Sequence, residues 1–566
     1  MTRLAVRRSL FVLFVLLPIA VAAAPTPGDQ DLLRQRQEQL LEQQQQRLEE
    51  LRNLPGREAI IPTPSAPAGS RCFQIDTIEL EGATALSAVE RARLLAPFEG
   101  QCLGVAGLND VLKTITDRYL AKGLVTSRAY LPQQDLSKGH LQVLVVEGTL
   151  ERLKADEASG FSARELTMAF PGRQGALLNL REIEQMVDQL NRLPSNQAQM
   201  ELTPGQAVGG SEVSVKNSPQ KPWRLSLSRD NSGQRSTGEQ QWNAGLEWDN
   251  PLGLADQFTL RGGHDAVSDH PHGSHNTMLG YSLPWGWWTF SYTYSESDYR
   301  SQAVASGFAF KQTGDSRTHQ LRAERVIHRD ALSKTALSLG LASQRTDNYI
   351  EGSRLALSSN RLTELQYGIN HGRRMGTGLV NLDLGMQQGI GALGAQGEHD
   401  PGPGEASARY RKYTGTLSYL QPFSLWGERL AFTSLATVQR SEDVLFSPQR
   451  MSLGGSASLR GYKDQFLSGD SGGYWRNELR WTRPVTLDWL RPAFAEYGLA
   501  AGYDQGVIRN DRYNGAEHGR LSSNAFEFFA RGQHVGASVT FAHSLERPAG
   551  LIERESPVYF RLDLFL

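Results

Sequence analysis

After residue 24 the chain has no run near the roughly 18 consecutive apolar residues that a membrane-spanning helix needs, so helical membrane spans are excluded. Charge of one sign is missing too: 59 basic and 60 acidic residues leave a formal net charge of -1. No global field draws the chain to DNA, RNA or an acidic surface, and nucleic acid is not an expected partner. Cysteine is scarce, with only Cys72 and Cys102 in 566 residues, too few ligands and too far apart for a metal site. Hydrophobic residues make up 39% and the mean hydropathy is -0.42. One membrane architecture stays open: a β-barrel, whose strands alternate apolar and polar side chains and so average to a hydrophilic score. Glycine is in excess, 56 residues, and is concentrated after residue 205 beside short alternating segments. Length alone suggests three or four domains at roughly 150 residues each, a prior that one large all-β unit overrides.

The first residues read as a secretory signal over 1–22. Arg3, Arg7 and Arg8 form its basic end, residues 10–17 its apolar stretch, and Ala20, Val21 and Ala22 an A-x-A cleavage site. An uncleaved anchor is handicapped by length, about 15 residues interrupted by Pro18. An exported chain meets an oxidising compartment, where Cys72 and Cys102 are expected to pair, the alternative being two unrelated buried thiols. A bond closing a loop of about 31 residues stabilises its module by roughly 3 to 4 kcal/mol in the chain-entropy model.

Residues 29–53 are dominated by Leu, Gln, Glu and Arg, which are good helix formers. On a helical wheel Leu32, Leu33, Leu40, Leu41, Leu48 and Leu51 fall within one half. The result is a polar helix with a thin leucine stripe, about as long as a bilayer-spanning barrel. It suits a plug in a water-filled lumen, and equally a solvated or coiled-coil segment outside one. Pro55, Pro62, Pro64 and Pro67 then make residues 54–70 a stiff linker. From Cys72 the pattern becomes strand, two helices, two strands: a strand from Phe73, helices over 86–95 and around Leu108 to Tyr119, and strands over 124–131 and 141–146. A similar order recurs with a strand near 150–153, helices near 163–169 and 180–191, and strands near 197–202 and 212–216. Two small α+β modules are implied, 71–149 and 150–219.

GLVTSRAYLPQQDLSKGHLQVLVVEG (residues 123–148) and LNLREIEQMVDQLNRLPSN (residues 178–196) resemble the two POTRA domains of the two-partner secretion transporters, the TpsB or ShlB/FhaC/HecB family. The cysteine pair also resembles one in that family's first POTRA. The resemblance implies periplasmic modules that capture an unfolded exoprotein. A physical route is β-augmentation, in which an extended client joins an open sheet edge through backbone hydrogen bonds that tolerate many sequences.

From residue 220 to 566 many segments alternate. Trp242, Ala244, Leu246 and Trp248 oppose Asn243, Gly245 and Glu247; Val380, Leu382, Leu384 and Met386 oppose Asn381, Asp383, Gly385 and Gln387. A soluble sandwich would alternate likewise, but spacing separates the two. Sixteen candidate strands are read, and connections after odd-numbered strands run about 11 to 33 residues against about 2 to 9 after even-numbered ones. That asymmetry matches long outer loops and short periplasmic turns. The expected fold is mixed: an N-terminal helix, two small α+β POTRA domains and a C-terminal 16-stranded antiparallel transmembrane β-barrel. The last strand places Val558, Phe560, Leu562, Leu564 and Leu566 on one face. Barrels of this kind commonly end on an aromatic residue that the assembly machinery recognises, whereas here Leu566 follows Phe565.

The longest connection, residues 440–472, contains Leu459, Arg460, Gly461 and Tyr462, which resemble the VRGY/F motif of the sixth outer loop in the POTRA-and-barrel superfamily. The resemblance implies a loop folded back into the lumen, with Arg460 meeting Asp504 on the thirteenth strand. Arginine suits this role because its planar fork binds a carboxylate bidentately and stays charged. The contact is expected to remain partly hydrated and to fix loop position more than to add stability. Asp230, Asn231, Ser232 and Gly233 resemble the family's DNSG segment.

Three other motifs fail on context. Gly469, Asp470, Ser471, Gly472 and Gly473 spell a trypsin-like nucleophile segment without the histidine a triad requires. Residues 389–394 fit a dinucleotide fingerprint, but Asp400, Pro401, Gly402 and Pro403 stop the helix it needs. His264, His270, His272 and His275 are dense enough for a metal, yet Asp265, Pro271 and Gly273 suit a solvated loop.

The resemblance thus implies an outer-membrane translocation pore that takes an unfolded exoprotein with an N-terminal secretion domain from the periplasm to the cell surface. Outer-membrane lipid and, during biogenesis, the barrel-assembly machinery are its other expected partners. No enzyme activity, cofactor or metal is expected. The cargo class, whether haemolysin, adhesin or contact-dependent toxin, stays open. The rivals are an outer-membrane protein assembly factor and a passive porin-like channel.

Overall fold

The computed structural model describes residues 25–54, 72–267, 271–397, 405–509 and 517–566. The expected signal and all but the first residue of the expected linker lie outside these segments. Helix α1 (Pro27–Arg52) starts on a capping box: the Thr26 hydroxyl accepts from the Asp29 amide and the Asp29 carboxylate accepts from the Thr26 amide, with Pro27 in the first turn.

The first module contains β1 (Phe73–Ile75), β2 (Thr77–Glu81), α2 (Ala88–Leu95), β3 (Gln101–Leu103), α3 (Val105–Ala121), β4 (Arg128–Tyr130) and β5 (His140–Val146). β5 lies between β2, which it pairs in parallel, and β4, which it pairs antiparallel; β1 and β3 form a separate antiparallel pair. The apolar face of α3, Val111, Ile115 and Tyr119, packs on Ile75 and Val143 with no exposure. The Cys72–Cys102 disulfide ties the entry of β1 to β3 across a Cα–Cα distance of 5.3 Å. The strand read over 124–131 shrinks to Arg128–Tyr130. Leu124 turns back to hydrogen-bond Tyr119 and drops into the core, and Ser127 bonds Leu124, so extension begins only afterwards.

The second module contains β6 (Thr149–Ala155), α4 (Ala163–Ala169), α5 (Leu180–Asn191), β7 (Gln199–Pro204) and β8 (Gly210–Lys216), with β8 central, parallel to β6 and antiparallel to β7. Leu150, Ile183, Met186, Leu190 and Val213 form its core. Only Glu147 and Gly148 separate the modules, and both are held. Glu147 accepts from the Ala85 amide (2.7 Å), the Tyr119 hydroxyl (2.6 Å) and Thr84. Gly148 donates to Ser127 (3.0 Å), and the Leu180 amide bonds the Gly123 carbonyl across the junction (2.8 Å).

Sixteen antiparallel strands follow and close into a barrel. Its first strand (Trp223–Asp230) pairs with its last (Val558–Phe565), Arg561 opposite Asp230 and Phe565 opposite Ser226, and Leu566 extends the ladder by exchanging backbone bonds with Leu225. A two-residue piece, Ser353–Arg354, pairs with Tyr349 and Ile350 outside the ring. Leu225, Leu227, Phe560, Leu562 and Leu564 are exposed on the outer face, while Tyr559 between them is buried inward. Such a contiguous apolar exterior belongs against lipid.

The connection expected between the fifth and sixth strands is not a loop. Those strands, Trp288–Ala305 and Phe308–Arg329, stay paired to a two-residue turn in which Ser306 and Gly307 both have positive φ. From Glu296 one face carries Glu296, Asp298 and Arg300 and the other Ser297, Tyr299 and Ser301, so the alternation that marks a lipid-facing strand ends there. Backbone pairing needs no apolar face, and the hairpin continues into the aqueous exterior.

Candidate functional site: a lumen filled by a helix and an inward loop

Helix α1 crosses the barrel interior. Near its outer end Gly28 lies against Tyr299 of the fifth strand, so closely that a Cβ there would stand 2.3 Å from the ring. At its inner end the Leu54 carbonyl accepts from Arg374 (2.8 Å), beside the turn joining the eighth (Asn360–Met375) and ninth (Gly378–Gly389) strands. Between them the contacts are mostly polar. Gln44 donates to Asp383 (2.7 Å) and accepts from Asn381 (3.1 Å) and Ser418 (2.9 Å); Arg47 pairs with Glu324 (2.9 Å); Glu42 meets Arg261.

The leucine stripe divides between two neighbours. Leu48 and Leu51 are buried with Leu54 and Leu379 at the inner rim, where Leu51 fills the space left by Gly372. Leu40 and Leu41 pack against the inward loop, Leu33 is buried, and Leu32 is half-buried on a lumen cavity of about 1100 Å³. Glu247, Arg261, Glu296 and Arg322 also line this cavity. A polar wall with a mostly polar helix can exchange those contacts for water at modest cost.

Residues 440–472 fold inward as a short hairpin, Met451–Leu453 paired with Leu467–Gly469. Arg36 donates to the Pro448 carbonyl and Gln37 to that of Ser452, so helix and loop are interlocked. At the tip Arg460 binds Asp504 through Nε (2.9 Å), Nη2 (2.7 Å) and its backbone amide (3.1 Å), and Nη1 reaches Glu478 on the twelfth strand, Gly472–Pro484 (2.7 Å). The expected hydration is corrected: Arg460 is 5% exposed and Asp504 0%. Leu459 and Tyr462, which flank Arg460 and Gly461 in the chain, are fully buried with Leu453 in one apolar cluster, so the tip as a whole is withdrawn from water. A doubly paired buried cation of this kind leaves uncompensated charge when one partner is lost, at a cost of about 3 to 5 kcal/mol.

Two glycines permit this approach. A Cβ on Gly461 would stand 2.5 Å from Ser523, and one on Gly502 2.0 Å from Arg460 Nη2. Tyr462 is fully buried and donates to the Ser522 carbonyl (3.3 Å) and to that of Glu546. The Arg460 carbonyl accepts from Tyr559 on the last strand (3.0 Å).

Sequence reading missed Glu478, Tyr559 and Glu555. Glu555 takes the amides of Lys463 (2.6 Å), Asp464 (3.1 Å) and Gln465 (2.7 Å), clamping the chain just past the tip. Glu478 was findable: Arg476, Glu478 and Arg480 alternate with Trp475, Leu479 and Trp481, which marks an inward row of charge. Glu555 carries no such signal, because its role depends on two distant loops meeting. Asn231 of the DNSG segment gains a structural account. Its amide donates to the Val558 carbonyl and its carbonyl accepts from the Phe560 amide, both at 2.8 Å, lengthening the closing seam by a side-chain rung.

The rejected motifs occupy ordinary places. Asp470 pairs with Arg450 (3.2 Å) and the Ser471 hydroxyl accepts from the Ser441 amide (3.0 Å). Leu393 and Gly394 make a positive-φ turn. His264 and His275 face each other across adjacent strands; His270 lies outside the described residues.

A family model described as haemolysin secretion/activation protein ShlB/FhaC/HecB matches residues 209–530, a ShlB-type POTRA domain matches 73–148, and a further POTRA domain matches 149–204. The chain belongs to this family. The outer membrane transporter CdiB of Escherichia coli is 37% identical over 96% of this chain and 91% of its own length. The haemolysin transporter protein ShlB of Serratia marcescens is 32% identical over 74% of this chain and 73% of its own. The solved structure of CdiB from Escherichia coli superposes with a TM-score of 0.90 at 36% identity, covering 96% of this chain and all of that one. The chain is thus a two-partner secretion transporter of the outer membrane, with its POTRA modules in the periplasm. The family is one of transporters rather than enzymes.

Proposed function

We propose that α1 is a removable plug, and that an exoprotein entering unfolded, N-terminal secretion domain first, displaces it on the way through the barrel. The observation that carries this reading is the position of α1: it fills the lumen largely through polar contacts, and a passage for an extended chain requires that space. Capture falls to the open sheet edges of the modules. β7 is the outer strand of its sheet, and an extended client adds to such an edge through backbone hydrogen bonds. The loop stays docked through Arg460, Asp504 and Glu478 and keeps part of the wall rigid during passage. Outer-membrane lipid covers the apolar exterior, and the barrel-assembly machinery inserts the chain. The cargo belongs with that of the CdiB relatives rather than of the haemolysin transporters, because likeness to the former extends over nearly the whole chain.

Removing residues 27–53 should raise conductance several-fold in planar bilayers; an unchanged conductance overturns the plug. A photo-crosslinking residue at Glu201 on β7 should trap the exoprotein in transit, and a transporter that secretes normally without that crosslink overturns capture at this edge.

A further inference from the structure

The periplasmic end of α1, the barrel rim and the second POTRA module meet at one side chain. Lys334, at the start of the seventh strand (Ser333–Ile350), places Nζ 3.3 Å from Glu50 in the last turns of α1 and 3.5 Å from Asp188 on α5. Lys334 is 15% exposed in its side chain and Asp188 18%, so that pair is only partly screened by water, whereas Glu50 is 42% exposed and its hold on Lys334 is the more screened of the two. Asp188 has a second partner, Arg329 at the end of the sixth strand, which is 2% exposed and also reaches Glu184 (3.3 Å). Arg47 approaches Glu50 at 3.8 Å.

α5 is independently fixed to this rim. Gln189 donates to the carbonyls of Gly286 and Trp288, both at 3.2 Å, and Arg192 to that of Ala255 (2.7 Å). The module therefore keeps its seat when any single charge at the junction is altered.

We propose that Lys334 is a positioning residue for which the plug and the second POTRA module compete. The inference rests on the reading of α1 as the plug and adds how its docking is set. One ammonium serves two carboxylates that repel each other. A stronger hold by Asp188 weakens the hold on Glu50, and a loss of Asp188 strengthens it. A client that presses the second module toward the rim thereby loosens the periplasmic end of α1 without touching it.

The test is the fraction of time that full-length channels stay open in planar bilayers, with heat-modifiable migration as the check on barrel folding. Glu50→Gln and Lys334→Met should each raise the open fraction several-fold, and Lys334→Arg should restore it. Asp188→Asn, a change outside both helix and barrel, should lower the open fraction severalfold in the native background and have no effect alongside Lys334→Met. A rigid structural contact would move Glu50→Gln and Asp188→Asn in the same direction, and that result overturns the competition. So does an Asp188→Asn effect that persists with Lys334→Met. Removal of residues 27–53 separates the two readings: if it leaves the channel closed the plug itself fails, whereas an opened deletion with a silent Asp188→Asn sinks only the coupling.

Discussion

Gly502 stands beneath the guanidinium of Arg460, two residues before the carboxylate of Asp504 that the guanidinium binds, and a Cβ at position 502 would lie 2.0 Å from Nη2. The ion pair depends on a missing side chain as much as on two charged ones. Gly502→Ala should therefore undock the loop while leaving every charge in place. Its secretion defect should approach that of Arg460→Ala, which strands Asp504 and Glu478 at a cost of about 3 to 5 kcal/mol. Secretion of a co-expressed exoprotein and cysteine labelling at Ser456 report the two effects; a Gly502→Ala variant with native secretion and a protected loop would refute the steric account.

Glu555 is expected to be the second anchor of the same loop. Glu555→Gln preserves size but replaces charge-assisted bonds to three amides, each worth about 1.5 to 3 kcal/mol, with weaker neutral ones and one mismatched amino group. Protease cleavage after Lys463 should accelerate at least several-fold, with a smaller loss of secretion than for Arg460→Ala. Equal cleavage rates in native and variant barrels would remove Glu555 from this role.

Glu147 gives the periplasmic modules an acid limit. Burial raises its carboxyl, but hydrogen bonds from Thr84, Tyr119 and the Ala85 amide outweigh burial and hold it below the ordinary value. A depressed carboxyl contributes stability that is present above its unfolded value, about 4.3, and is lost as pH falls through the folded value. Hydrogen-exchange protection at residues 84 and 85, corrected for intrinsic rates, should fall as pH drops from about 5 to 3, and Glu147→Gln should flatten that fall. A native profile without this drop would contradict the assignment.

Much of this arrangement is legible in the residues because the bilayer enforces simple periodicities. Outward apolar alternation marks each spanning strand, and Arg460, Gly461 and Tyr462 mark the loop that turns inward. The hairpin from Trp288 to Arg329 escapes that rule, since just past Ser295 polar side chains occupy both faces while the backbone ladder continues, with Arg317 bonding Glu296 across it and Tyr299 turned inward against Gly28. Glu555 and Lys334 escape it for another reason: each acquires meaning only when segments far apart in the chain are brought within hydrogen-bond reach. The wheel of α1 shows a leucine stripe but not its partition, because Leu48 and Leu51 meet the wall while Leu40 and Leu41 meet the loop. The depth at which Arg460 is buried is set by the packing of the whole tip, where Leu459 and Tyr462 on either side are also fully buried.

Two pieces occupy this lumen, and their grips on the wall are unequal. α1 leans on the fifth and the eighth to tenth strands (the tenth Arg411–Leu425) and on the loop itself through Arg36 and Gln37, whereas the loop holds the twelfth to sixteenth (the thirteenth Glu496–Ile508, the fourteenth Gly519–Arg531, the fifteenth Val535–Glu546) through a dry cation, a buried tyrosine and a clamped turn. Their footholds on the wall differ, and in the proposed displacement the contacts of α1 with the loop at Pro448 and Ser452 must break as well. If the helix leaves while the loop stays, as proposed, the passage opens along one arc of the wall and the seam between the first and last strands remains shut behind the other.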